Sequence, residues 1–93
     1  MLIFSAEEAH SRLGKLSGWK IENGMLIKTF QFKDFLGSLH FVNRVGELAE
    51  GAGHHPDIDI RYNRVRLALT THDAGGLTAK DFDLAEAAEQ LAQ

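Results

Sequence analysis

The fold is decided by residues 19–32, WKIENGMLIKTFQF, in which Asn23-Gly24 separates two segments of alternating apolar residues. Asn-Gly between such segments is the strongest short-range signal for a two-residue β-hairpin, because both residues tolerate positive φ. The pattern predicts that Ile21 lies opposite Leu26. One face of this hairpin is expected to line the core, and it carries Trp19, Ile21, Leu26, Phe30 and Phe32.

A second hairpin is predicted over residues 57–71, because apolar residues alternate there in two runs: Ile58, Ile60 and Tyr62, then Val65, Leu67 and Leu69. The alternation is continuous if residues 63–64 form the turn. Tyr62 then shares the apolar face and is expected in the core. Extended outward, the same ladder brings His55 opposite His72, on the sheet face that the helices leave uncovered.

Three helices are predicted around the hairpins. Capping-box patterns open the first at Ser5 and the third at Thr78. Asp34 is the candidate cap of the second helix, which is expected to end near Glu50 because Gly51-Ala52-Gly53 follows. The resulting order, α-β-β-α-β-β-α, predicts an α+β fold in which helices pack on one face of a four-stranded antiparallel sheet.

The second helix carries a broad apolar stripe that is expected to face the core: Phe35, Leu36, Leu39, Val42, Val45, Leu48 and Ala49. On this reading His40, Phe41 and Arg44 point outward. They are the predicted place for contact with a partner. His10, on the first helix among charged neighbours, is expected at the surface.

Composition excludes several classes of function. At 93 residues the chain is expected to form a single domain, residues 1–93, and a net charge of −3 gives no electrostatic footprint for direct nucleic-acid binding. The absence of cysteine excludes disulfides, thiolate zinc sites and cysteine nucleophiles. No signal peptide and no apolar run of roughly 20 residues is present, so no membrane contact and a cytoplasmic location are expected.

Residues 50–81 concentrate side chains that carry chemistry: Glu50, His54, His55, Pro56, Tyr62, His72 and Asp81. Histidine, with an ordinary pKa of about 6.5, gives and takes protons near neutral pH. Two imidazoles in different surroundings can serve as acid and base in one reaction. The same cluster could hold a metal with help from Asp57 or Asp59, or serve a structural or partner-binding role. The residues alone leave these three interpretations open.

The spacing of these residues favours acid/base chemistry among the three interpretations of the histidine cluster. With this spacing the chain resembles the pterin-4a-carbinolamine dehydratases at every defined position of their signature. That pattern reads Glu50-x3-His54-His55-Pro56-x5-Tyr62-x9-His72-x8-Asp81. Further segments are also similar to this family, so the resemblance covers nearly the whole chain: Gly18-Trp19, residues 32–35, residues 62–65, Thr71-His72 and residues 76–78.

The resemblance implies an enzyme that dehydrates 4a-hydroxytetrahydrobiopterin to the quinonoid dihydropterin and so supports tetrahydrobiopterin recycling. It implies no metal and no organic cofactor. It also implies a homodimer or homotetramer and, as in members that bind a transcription factor, a protein partner. His54 and His72 are then the expected proton-transfer groups, and His55 the group that helps to bind and orient the substrate.

The remaining candidates are expected to bind substrate or support the histidines: Glu50, Pro56, Asp81 and Trp19. Each also has a structural interpretation. Glu50 lies at a helix C-terminus, where the dipole disfavours a carboxylate, whereas Asp81 suits its place in a capping box. For Trp19 a place in the core is favoured over stacking on the substrate. Pro56 is expected to fix the conformation of the chain at this corner. A binding module without catalysis and a metal-dependent hydrolase are the competing classes.

Overall fold

The computed structural model describes residues 2–93 and has the predicted order of elements. The helices are α1 (Ala6–Leu13), α2 (Phe35–Ala52) and α3 (Ala79–Leu91). The strands are β1 (Lys20–Glu22), β2 (Met25–Gln31), β3 (Asp57–Arg61) and β4 (Arg64–Leu69). They form one antiparallel sheet in the order β1-β2-β4-β3, so the predicted α+β class is confirmed.

The first hairpin forms as predicted, with Ile21 paired to Leu26. Its turn residues both have positive φ, 53° at Asn23 and 76° at Gly24. The face predicted to be apolar lines the core: Trp19, Leu26 and Phe30 are buried, and Ile21 and Phe32 are partly buried against them. The local turn signal therefore determined both the register and the buried face.

The predicted register of the second hairpin is wrong by two residues. Ile60 lies opposite Val65 and Ile58 opposite Leu67, so the turn is formed by residues 62–63. A shift of two keeps each side chain on its predicted face, but it removes the pairing of His55 with His72. Tyr62 lies in the turn with φ 52° and is 65% exposed, so its predicted place in the core is also wrong.

Tertiary hydrogen bonds account for this turn. The carbonyl of Tyr62 accepts a hydrogen bond of 2.7 Å from the Ser38 hydroxyl on α2. Asn63 binds the end of β2 twice, since its carbonyl accepts from the Phe32 N–H at 2.8 Å and its Nδ2 donates to the Phe32 carbonyl at 3.1 Å. These partners are distant in sequence, so the alternation of residues 57–71 could not reveal them.

The second helix buries Ser38, Phe41, Val45 and Ala49. The predicted stripe is confirmed in its C-terminal part, where Val45 and Ala49 are buried and Val42 and Leu48 are partly buried against the core, but not in its N-terminal part. Phe41 was expected at the surface, but its ring centroid lies 4.7 Å from that of Phe30 and 4.9 Å from that of Phe32. Phe35 and Leu36, expected in the core, are 46% and 61% exposed. The N-terminal part of α2 therefore turns a different face to the core from the one predicted, because Phe41 completes an aromatic cluster on the core face of β2.

The third helix is attached to the sheet through Glu89, which accepts hydrogen bonds from Trp19 Nε1 at 2.7 Å and from Lys28 Nζ. Its N-terminal end adjoins the end of α2, and the two helices pack on the same core. No helix in residues 2–93 is long and apolar enough to cross a membrane. The cytoplasmic location stays a prediction.

Candidate active site

All three histidines of the signature line one cavity of about 190 Å³. Two connections meet there, the one between α2 and β3 and the one between β4 and α3. The full lining is Gly53, His54, His55, Thr70, Thr71, His72, Asp73 and Lys80. The histidines therefore meet as the sequence predicted, but through adjoining loops and not through the predicted cross-strand pair.

The end of α2 directs His54 into the fold. Gly53 has φ 63°, a left-handed conformation that glycine adopts without steric cost. The N–H of His54 then donates to the carbonyl of Ala49 at 3.1 Å, which closes the helix end. The side chain of His54 turns inward and is buried, and its Nε2 lies 2.6 Å from Oδ1 of Asp81.

Asp81 is fully buried and its carboxylate is surrounded by donors. Oδ2 accepts from the Thr71 hydroxyl at 2.9 Å and from the Thr78 N–H at 3.0 Å. The Thr71 hydroxyl has a single proton, so in its 2.8 Å contact with Thr78 the Thr78 hydroxyl is the donor. A carboxylate that already accepts from two donors offers Oδ1 as a further acceptor, so Nε2–H of His54 donates to it.

That tautomer leaves Nδ1 of His54 with a lone pair. No described residue of 2–93 bonds this nitrogen, and among them no buried side-chain nitrogen or oxygen lacks a partner. Nδ1 therefore keeps contact with solvent at the cavity. An imidazole held at one nitrogen by a buried carboxylate and open at the other is arranged to accept a proton.

His55 points the other way from the same corner. Its Nε2 lies 2.7 Å from Oε1 of Glu50 in the last turn of α2. Both side chains are largely exposed, 63% and 80%, so this pair adds little to stability. The contact orients the His55 ring at the mouth of the cavity and gives Glu50 a partner beside the histidines.

A tight loop presents His72 at the rim. The Gly75 N–H donates to the carbonyls of Thr71 at 2.9 Å and His72 at 3.1 Å, and Thr71 also forms an isolated bridge with Gly76. The His72 side chain is exposed to solvent. A loop closed by these hydrogen bonds that leaves the imidazole exposed suits proton exchange with water.

Sequence reasoning missed three members of the site: Thr71, Thr78 as a side-chain partner, and Lys80. Thr78 had a signal, its place in a capping box. Lys80 lines the histidine cavity and also an adjoining apolar cleft of about 180 Å³, which His54 shares. A lysine in the first turn of a helix opposes the helix dipole, and this mild misfit is the signal that could have found it.

Two sequence candidates lie elsewhere. Trp19 is buried in the core against Phe30 and bonded to Glu89, and it does not line the cavity. Pro56 is half-buried just before β3 and is also absent from the lining. Within residues 2–93, no group of three or more histidine, aspartate or glutamate side chains is placed to hold a metal ion.

The chain is similar to known proteins over nearly its whole length. Residues 3–91 match the sequence model of the family described as "Pterin 4 alpha carbinolamine dehydratase". A protein of Nostoc sp. that carries this name provisionally is 54% identical over 89 residues, 96% of each chain. One from Acidobacterium capsulatum, named in the same way, is 60% identical over 80 residues, 86% of this chain and 87% of the relative.

Solved structures extend the comparison. A crystal structure described as a transcriptional coactivator/pterin dehydratase from Brucella melitensis superposes with a TM-score of 0.96 at 30% identity, covering 99% of this chain and 100% of the other. A pterin dehydratase-like protein described as a RuBisCO assembly factor of the α-carboxysome shares the fold, with a TM-score of 0.66, 24% identity and coverage of 80% and 86%. The chain belongs to the pterin-4a-carbinolamine dehydratase family.

Proposed function

We propose that this protein is a 4a-hydroxytetrahydrobiopterin dehydratase that eliminates water by acid/base catalysis and so supports tetrahydrobiopterin recycling. The observation that carries the proposal is the buried His54–Asp81 pair in the wall of a cavity that His55 and His72 also line. Family membership supplies the class of reaction, and the pair supplies a group able to perform it.

The reaction requires two proton transfers. The N5–H of the 4a-carbinolamine loses its proton to a base, and the nitrogen electrons form the C4a=N5 double bond. The C4a–O bond breaks, and the leaving hydroxyl takes a proton from an acid to depart as water. Because the substrate supplies its own electron push, the protein has only to bind the ring and place the two proton carriers.

In this proposal His54 is the base. Its Nδ1 accepts the N5 proton, and the Asp81 carboxylate at Nε2–H stabilises the imidazolium that forms. His72, exposed at the rim, protonates the leaving hydroxyl and recovers its proton from water. His55, oriented by Glu50, binds the pterin ring at the mouth of the cavity. Pro56 holds the corner before β3, and Trp19 supports the fold rather than the substrate.

The mechanism uses no metal and no organic cofactor, since every proton transfer is assigned to a side chain of this chain. A chelator and added zinc, iron or nickel should leave the rate of a purified preparation unchanged. Loss of activity with the chelator and its return with one metal would favour the metal-dependent hydrolase class instead.

The decisive experiment follows dehydration optically, with 4a-hydroxytetrahydrobiopterin generated in situ by a phenylalanine hydroxylase. Wild type is compared with His54→Ala and with His40→Ala, a matched control because His40 is an exposed histidine on α2 outside the cavity. We expect His54→Ala to lose about 10²–10⁴-fold in rate, the contribution of a positioned general base, while His40→Ala stays at the wild-type rate. Folded wild type with no acceleration would overturn the enzyme proposal and favour the binding module.

We also propose that the protein acts as a homodimer or homotetramer. The support is a set of large apolar side chains on α2 and near β3 that are exposed to solvent in the single chain: Phe35, Leu36, Ile58 and Tyr62. The coactivator description of the Brucella structure favours a second use of such a surface for a protein partner. Leu36→Asp should lower the mass measured by light scattering, whereas an unchanged mass would remove this surface from assembly.

A further inference from the structure

Three arginines gather on the sheet face opposite the helices, away from the histidine cavity. In the ladder Arg61 lies directly opposite Arg64, and Arg66 lies two residue pairs further along, opposite Asp59. The residues between them, Ile60, Val65 and Leu67, lie on the core face. Because side chains alternate along a strand, the three arginines and Asp59 lie on the opposite face. Together with Thr29 they line a cavity of about 170 Å³.

This arrangement costs stability in the protein alone. Like charges directly opposite one another in an antiparallel pair are destabilising, and Arg61 and Arg64 form such a pair. Among the ion pairs and hydrogen bonds formed by residues 2–93, none involves the guanidinium groups of Arg61, Arg64 or Arg66. Three arginines and a single carboxylate residue, Asp59, contribute to the lining, although the whole chain is acidic at −3.

We propose that this arginine cavity binds a phosphate group. Guanidinium is a planar fork that matches the oxygens of phosphate in bidentate hydrogen bonds, and several forks around one cavity can share a dianion. Thr29 adds a hydroxyl donor to the same lining. A bound dianion would remove the repulsion between Arg61 and Arg64.

The rest of this sheet face disfavours a nucleic acid as the source of the phosphate. Its strand residues include no aromatic side chain on which a base could stack: Lys20, Glu22, Met25, Ile27, Thr29, Gln31, Asp57, Asp59, Arg61, Arg64, Arg66 and Ala68. The cavity accepts a single phosphate group, free or on a small organic molecule. It shares no lining residue with the histidine cavity, so the proposal does not depend on the dehydratase assignment.

The test is a titration of the wild-type protein in low-salt chloride buffer, in which the Nε–Hε signals of the arginines are followed by NMR. Inorganic phosphate and glycerol phosphate are the two probes, and sodium chloride at equal ionic strength is the blank. We expect saturable shifts at Arg61, Arg64 and Arg66 with either probe and none with the blank. Tighter binding of glycerol phosphate would identify an organic phosphate, and tighter binding of inorganic phosphate would identify free phosphate.

Two variants complete the test. Arg64→Gln should weaken phosphate binding about tenfold, the loss expected for a charge-assisted hydrogen bond, without lowering the melting temperature or the dehydration rate. Arg44→Gln is the matched control, since Arg44 is an exposed arginine on α2 outside the cavity. Shifts that fail to saturate, that chloride reproduces, or that both variants reduce equally would overturn the proposal.

Discussion

Oδ1 of Asp81 lies 2.6 Å from Nε2 of His54, while Oδ2 of the same carboxylate accepts the Thr78 N–H that opens α3. One side chain therefore caps a helix and fixes the orientation of a histidine. Helix formation itself brings the carboxylate to His54, because the third position of a capping box is set by the cap residue. The structural and the catalytic interpretations of Asp81 are thus compatible.

Replacing Asp81 by asparagine separates these two roles. The amide oxygen can still accept from Thr78, so the fold should persist, but a neutral partner no longer stabilises an imidazolium at His54. We expect the dehydration rate to fall about 10²–10⁴-fold. Asp83→Asn is the control, since Asp83 is exposed on the same helix. A variant that folds and keeps the wild-type rate would show that His54 does not act through Asp81.

Thr71 is expected to position Asp81 without touching the substrate's reacting atoms. Thr71→Val keeps the shape but removes a buried hydroxyl, which leaves Oδ2 of Asp81 short of a donor and the Thr78 hydroxyl short of an acceptor. We expect the free energy of unfolding to drop by about 1–3 kcal/mol. The kcat should fall with KM nearly unchanged, and Thr71→Ser should restore both quantities. A loss of stability with wild-type kcat would make Thr71 purely structural.

Much of the fold could be predicted because its signals are local. The Asn23-Gly24 turn and the caps at Ser5 and Thr78 each act within a few residues. The second hairpin lacked such a signal, and its turn is set by Ser38 and Phe32, which only the folded chain brings near. Local pattern reasoning fails where tertiary bonds choose between registers.

The same distinction explains the site. The spacing of the signature selected His54, His55 and His72, and they do line one cavity. Glu50 and Asp81 were expected to support the histidines, and they do contact His55 and His54. The sequence could not show which histidine each carboxylate meets, and the predicted pairing of His55 with His72 is wrong. The role of Thr71 depends on the carboxylate of Asp81, which is ten residues away in the chain. The first turn of α3 brings that carboxylate back into contact with Thr71.

The turn at Tyr62 offers a test of the corrected register. A left-handed conformation is unfavourable for tyrosine but tolerated by asparagine, and the side chain is 65% exposed. We expect Tyr62→Asn to keep or raise the free energy of unfolding by up to about 1 kcal/mol. Urea unfolding at one fixed protein concentration measures it, since association would otherwise alter the result. A loss of several kcal/mol would instead fit a buried Tyr62.

The cap of α1 should respond to acid. The backbone N–H of Ser5 donates to the Glu8 carboxylate at 2.9 Å, and this bond, followed by the contribution of the Ser5 side chain, lowers the pKa of the Glu8 carboxyl. A pKa lowered in the folded state means that the cap contributes stability above the unfolded value and loses it as pH falls through the folded value. NMR titration should show the pKa of Glu8 rising in Ser5→Ala. It should not change in Ser11→Ala, an exposed serine on the same helix.

The attachment of α3 to the sheet can be measured through Glu89. Glu89→Ala leaves Trp19 Nε1 without its acceptor and Lys28 without its carboxylate, in a site where the Lys28 side chain is only 19% exposed. We expect the free energy of unfolding to fall by about 2–4 kcal/mol, because removing one partner of a largely buried pair costs more than removing both. Lys28→Met together with Glu89→Gln should recover part of that loss, since the amide oxygen can still accept from Trp19.

Glu47→Ala, an exposed glutamate on α2, should change little in urea unfolding. If Glu89→Ala proved equally neutral, the contacts of Glu89 would add nothing to the attachment of the helix.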